Sequence, residues 1–110
     1  HQREQAARFG VEIHEMKDGL PDKLDLYGPL YLSLDMDVLD PAFAPGISHH
    51  EPGGMSVREV LRIIHAIDVP VVGADIVEYN PLRDQDDRTA MVAAKFYREI
   101  AAKMLKVGRK

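Results

Sequence analysis

Asp35 and Asp37 stand two residues apart where a short apolar run, residues 30–34 (LYLSL), gives way to the stretch DMDVLDP. If the run is a strand, side chains two apart point the same way. Two carboxylates held that close repel one another unless a cation neutralises them. A hard divalent metal is the natural partner of such oxygen ligands. The spacing is not that of an EF-hand, because Leu39 falls where the third ligand belongs and Gly46 where the closing Glu belongs. Asp40, directly before Pro41, is expected to shape a turn.

A second acidic cluster follows a second apolar run, in GADIVEYNP (residues 73–81). Glu78 comes after the run and before a polar loop, so it is a solvated loop residue if it stands alone. Beside a metal site on the neighbouring strand, it is a candidate for gripping a cationic substrate. Asp75 lies inside the run and is expected to be structural, and Asn80 is expected to shape the turn before Pro81. His49 and His50 sit in a Pro- and Gly-rich loop; a His pair can ligate metal or move protons, but lining a pocket is the commoner use of a loop His. Of the two, His49 is placed nearer to function. His14 and His65 read as structural or surface residues, and Ser33 and Ser48 carry no nucleophile signature.

The elements that would hold these groups follow from pattern and punctuation. Residues 1–9 are rich in helix formers, and Gly10 sits at a helix stop. Residues 11–16 (VEIHEM) alternate apolar and polar and predict a strand; residues 17–28, with Gly19, Pro21 and Gly28, predict a connection. Residues 30–34 predict a buried strand, and residues 40–54, with three Pro and three Gly, a long ordered loop. Ser56 and Glu59 have capping-box spacing, and Val57, Val60, Leu61, Ile64 and Ile67 then form one stripe. Residues 71–77 (VVGADIV) predict another buried strand. A last helix is expected over about residues 89–106, capped by Asp87, with Ala90, Ala93, Ala94, Tyr97, Ile100, Ala101 and Met104 toward the core. Apolar strands alternating with amphipathic helices imply an α/β fold with a mostly parallel sheet. Three strands make a thin sheet with exposed edges, so the chain is expected to be the end of a larger α/β domain.

The 110 residues carry 14 Lys+Arg against 18 Asp+Glu, a net charge of −4, which leaves no positive excess for binding a nucleic-acid backbone. No apolar stretch reaches the roughly 20 residues of a membrane-spanning helix. With no Cys there is neither a disulfide nor a thiolate metal site.

SLDMDVLDPAFAPG, then EPGGMS, then GADIVEYNP and the TAMVAAK helix together resemble the ureohydrolase family of arginases and agmatinases, over nearly the whole chain from Phe9 onward. GISHHEPGG and the segment from Gly73 to the last helix are most similar to the plant-type arginases. The resemblance implies a three-layer α/β/α fold, with residues 1–110 as the carboxyl-terminal part of one catalytic domain. It implies a binuclear manganese (Mn2+) centre and hydrolysis of the guanidino group of L-arginine to L-ornithine and urea by a hydroxide held between the metals. The alternatives are the same chemistry on agmatine, or a non-catalytic truncated chain.

Carried over by motif, Asp35 bridges both metals and serves catalysis, Asp37 binds one metal, Glu78 binds the substrate guanidinium, and His49 faces substrate where animal relatives have Thr. Two upstream motifs of the family, rich in His and Asp, supply the remaining ligands and do not occur in these residues. The resemblance also implies a homo-oligomer, trimer or hexamer, and a mitochondrial or cytoplasmic address, with neither nucleic acid nor membrane as a partner.

Overall fold

The structure, a computed structural model, describes residues 4–5, 8–10, 12–19 and 24–107. Two strands, β1 (Leu30–Asp35) and β2 (Val71–Val77), pair in parallel, with Leu32 opposite Ala74, Leu34 opposite Ile76 and Asp35 opposite Val77. Their alternation sets two faces. Leu32, Leu34, Ala74 and Ile76 pack on the core, whereas Tyr31, Ser33 and Asp75 share the opposite face. There the Tyr31 hydroxyl donates to Asp75 Oδ2 at 2.9 Å and Ser33 Oγ to Oδ1 at 2.6 Å, so the carboxylate on β2 ties the two strands together.

The connection from β1 to β2 carries helix α1 (Val57–Ala66). Its start is the expected capping box: Glu59 N–H donates to Ser56 Oγ at 3.1 Å, and Ser56 N–H to Glu59 Oε1 at 2.9 Å. Val60, Leu61 and Ile64 enter the core. At the other end, Lys103 Nζ donates to the carbonyls of His65 (3.0 Å) and Ile67 (2.8 Å), supplying acceptors left open at the helix terminus with a cation. Helix α2 (Arg88–Val107) brings Thr89, Phe96 and Ile100 into the same core, which the long loop completes with Met36, Leu39, Ala44, Ile47 and Met55.

Four expectations need correction. Residues 12–15 form no strand, and Met16–Asp18 is a 3-10 turn, because alternation makes a strand only where another strand is available to pair with it. Among the described residues the sheet therefore has two strands, not three. The first expected helix needs no correction where it is described: residues 4, 5 and 8 are helical, Phe9 and Gly10 form a turn and Gly10 has φ 72°; residues 1–3, 6 and 7 lie outside the described residues. On α2, Ala90, Ala93, Ile100 and Ala101 turn inward as expected, Phe96 heads the stripe, and Ala94, Tyr97 and Met104 are exposed instead of buried. Asp87 takes the N-cap position of α2, its carbonyl accepting Met91 N–H at 2.9 Å, but the capping side chain is that of Asp84: Asp84 Oδ1 accepts from Thr89 N–H (2.9 Å) and Oδ2 from Ala90 N–H (3.0 Å). Positive φ at Asp86 (52°) and Asp87 (58°) turns the chain so that Asp84 reaches the helix start.

Candidate functional site

Both strands end on the same side of the sheet, as parallel neighbours must, and ligands of such sheets gather beyond the carboxyl ends. Asp35 is the last residue of β1, and the chain then tightens into a 3-10 turn over Met36–Val38. Asp35 Oδ1 caps this turn by accepting Asp37 N–H at 2.8 Å. Asp37 therefore lies in the turn after the strand, not on it, and Asp35 meets its backbone N–H rather than standing beside it by strand alternation. Met36, fully buried, anchors the turn from below.

Asp37 also organises the long loop. Its Oδ1 accepts the N–H groups of Ser48 (3.0 Å) and His49 (3.2 Å), and its Oδ2 meets His49 Nδ1 at 3.0 Å. Partial burial alone would raise the Asp37 carboxyl. The His49 ring, the two N–H donors and the nearby imidazole charge outweigh that and hold it below the usual carboxylate range. With Nδ1 turned to Asp37, His49 presents Nε2 outward, and its side chain is 83% exposed. His50 is used differently. Its Nε2 lies 2.7 Å from the Pro45 carbonyl, which only accepts, so Nε2 carries a proton there and braces the loop.

The loop is fixed at several other points. Met55 N–H donates to the Val38 carbonyl (2.8 Å), Asp40 N–H to the Met55 carbonyl (2.9 Å), and Asp40 itself accepts from Ala42 (2.9 Å) and Gly53 (3.0 Å). At the far side, Gly46 N–H donates to the buried Thr89 Oγ1 (2.8 Å), and the Gly46 carbonyl accepts from Asn80 N–H (2.8 Å). A side chain at Gly46 would come within 2.9 Å of both Asp84 and Thr89, so only glycine allows the loop to sit on the start of α2.

Glu78 follows β2 directly and has φ 68°, a left-handed backbone that costs a non-glycine residue of order 1 kcal/mol or more. Tyr79 bridges to Ile47, and Asn80 accepts Leu82 N–H at 3.1 Å, shaping the turn before Pro81–Arg83. The outcome is a cluster. A ligand atom of each of Asp37, His49 and Glu78 lies within 4.8 Å of the others. Of the residues singled out in the sequence, these three are brought together, while the Asp35 carboxylate is turned onto the 3-10 turn next to them. Two carboxylates and an imidazole brought this close can meet a cation, either a hard divalent metal ion or the cationic group of a substrate.

Sequence reasoning placed His49 near function but missed its bond to Asp37. The two are 12 residues apart, and no local spacing rule reports a loop folding back on a strand end. It also missed Asp84 and Thr89: Asp84 stands four residues before α2, outside the N-cap position that capping patterns read.

The model of the arginase family matches residues 2–102. The chain is 55% identical, over 113 aligned positions, to "Arginase 2, chloroplastic/mitochondrial" of Arabidopsis thaliana, covering 94% of this chain and 33% of that protein. It is 50% identical over 74 positions to an agmatinase of Halalkalibacterium halodurans, covering 64% of this chain and 26% of that one. Among solved structures, the arginase of Medicago truncatula superposes with a TM-score of 0.86 at 48% identity, over 94% of this chain and 35% of that one. The chain thus spans about a quarter to a third of the length of the curated relatives it matches.

Proposed function

Because the chain belongs to the arginase family and has its α/β fold, we propose that residues 1–110 are the carboxyl-terminal part of one ureohydrolase catalytic domain. The whole protein would hydrolyse the guanidino group of L-arginine to L-ornithine and urea with manganese bound. The observation that carries the reading is the convergence of Asp37, His49 and Glu78 beyond the ends of two adjacent parallel strands.

In this proposal Asp35 and Asp37 hold manganese, together with ligands from outside these residues. When bound, the metal supplies the Lewis acidity that makes water nucleophilic near neutral pH. Glu78 accepts two N–H bonds from the planar guanidinium, a two-point grip that fixes its plane and sets its carbon for attack. His49, locked by Asp37 through Nδ1, offers Nε2 to the substrate. Asp35 would take the proton that the attacking water gives up and pass it to the leaving amine. The proposed protein is a mitochondrial homo-oligomer; the names of the plant relatives support the address.

The test is urea release from arginine and from agmatine by the full-length protein with added manganese. Preference for arginine supports the reading, and preference for agmatine turns it to the agmatinase alternative, which a relative of that name supports. Asp37→Asn is expected to lose manganese and activity, and Glu78→Gln to keep manganese while losing substrate handling. Absence of urea from both substrates, or loss of manganese in Glu78→Gln, would overturn it.

A further inference from the structure

The left-handed backbone of Glu78 needs an agent to hold it, because a conformation of this kind persists only where its surroundings over-determine it. That agent lies in the next residues. Tyr79 is pinned twice: its backbone bridges to Ile47, and its hydroxyl donates to Asp84 Oδ2 at 3.0 Å. Asn80 N–H is held by the Gly46 carbonyl at 2.8 Å. Asp84 is itself immobilised by the N–H groups of Thr89 and Ala90 at the start of α2, and of Gln85. One carboxylate therefore joins the first turn of a 20-residue helix to the residue after Glu78.

We infer that Tyr79 and Asp84 are positioning residues: they clamp the chain just after Glu78 so that its carboxylate is held over Asp37 and His49. The inference rests on the proposed role of Glu78 as the guanidinium grip. Without the clamp, the backbone at Glu78 relaxes toward ordinary φ values and its carboxylate leaves the cluster. Neither Tyr79 nor Asp84 touches the substrate. Their effect on substrate passes through Glu78, which gives the proposal a signature that a merely stabilising contact lacks.

Tyr79→Phe keeps the ring and removes only the hydroxyl. In the manganese-loaded full-length protein it is expected to raise KM for the guanidino substrate about 10-fold with manganese content unchanged. Added to Glu78→Gln it should do little more, because residues acting as one unit are not additive. An unchanged KM, or full additivity with Glu78→Gln, would overturn the inference. Asp84→Asn should reproduce the KM effect. A second measurement does not depend on activity. Glu78→Gly should unfold at higher denaturant than Glu78→Ala, because only glycine takes a left-handed backbone freely, and that gap should close when Tyr79→Phe is added. A gap that persists would overturn the clamp even in an active enzyme. Absence of urea release with a gap that closes would overturn the functional reading and leave the clamp standing.

Discussion

Thr89→Val offers a sharp test of how the long loop is held. Thr89 is wholly buried, and its Oγ1 accepts Gly46 N–H at 2.8 Å while its hydroxyl also bonds the Asp84 carboxylate. Valine has nearly the same shape, so the change opens no cavity; it strands a buried N–H and takes a donor from Asp84. Leaving a buried donor without a partner costs about 1–3 kcal/mol, so about 2 kcal/mol is the expected loss. Thr89→Ser keeps the oxygen and removes one methyl group, about 0.8 kcal/mol on transfer grounds. The order of the two variants therefore separates the polar tie from simple packing. Amide exchange reads it locally: at about 1.4 kcal/mol per tenfold, exchange at Gly46 should quicken roughly 30-fold in Thr89→Val and only a few-fold in Thr89→Ser. Denaturant midpoints should fall in the same order at constant m. If Thr89→Ser proves as damaging as Thr89→Val, the hydrogen bond is not what holds the loop to α2, and the reasoning fails.

Two further outcomes follow from the same contacts. A methyl group at Gly54 would lie 2.7 Å from Asp40 N, 2.8 Å from the Leu39 carbonyl carbon and 2.9 Å from the Val38 oxygen, all backbone atoms that cannot swing away; Gly54→Ala should cost about 1–3 kcal/mol, the usual range for overpacking, as read by thermal unfolding. Asp84 feels partial burial, which would raise its carboxyl, but the N–H groups of Thr89 and Ala90 and the hydroxyls of Thr89 and Tyr79 outweigh it and hold it far below the ordinary value. A carboxyl depressed on folding stabilises above its unfolded value, about 3.9, and loses that contribution as pH falls below it. Denaturant midpoints should therefore drop as pH is lowered from about 4, and Asp84→Asn should flatten part of that drop; an equally steep acid limb in the variant would contradict the assignment.

The elements whose signals are local were legible in the sequence. The capping box at Ser56 and Glu59, the apolar stripe behind it and the two runs that became β1 and β2 each declare themselves within a few residues. Residues 11–16 show the limit of that approach, because alternation says which face a strand would bury but not whether another strand lies beside it. The stripe on α2 was legible only in part, for a related reason: Ala90, Ala93, Ile100 and Ala101 turn inward as expected, but Tyr97 does not. With alanines on several sides, either Phe96 or Tyr97 could head the stripe; only packing places Phe96 wholly inside and leaves Tyr97 70% exposed. In the site, Asp35, Asp37, Glu78 and His49 were chosen by residue type and place in the chain, while the bond from His49 to Asp37 and the left-handed backbone at Glu78 became visible only in three dimensions.

These contacts also explain why the cluster draws on residues so far apart in the chain. Adjacent parallel strands put Asp35 and Val77 side by side, so the residues that follow each strand emerge together. That pairing alone would leave Asp37 and Glu78 on two free ends. The loop prevents this by being tied to both: Asp37 holds it at Ser48 and His49, and Asn80 and Thr89 hold it at Gly46. Arg83 Nη1, donating to the Ser48 carbonyl at 3.2 Å, adds a tie from the turn after β2. The loop is therefore a strap between the two strand ends, and its Pro and Gly content serves that geometry: glycine where it lies against α2 at Gly46 and against its own start at Gly54, proline where no N–H is needed. A site assembled this way depends on the start of α2 as much as on the sheet, since Thr89 and Asp84 hold the strap and the chain after Glu78 at once.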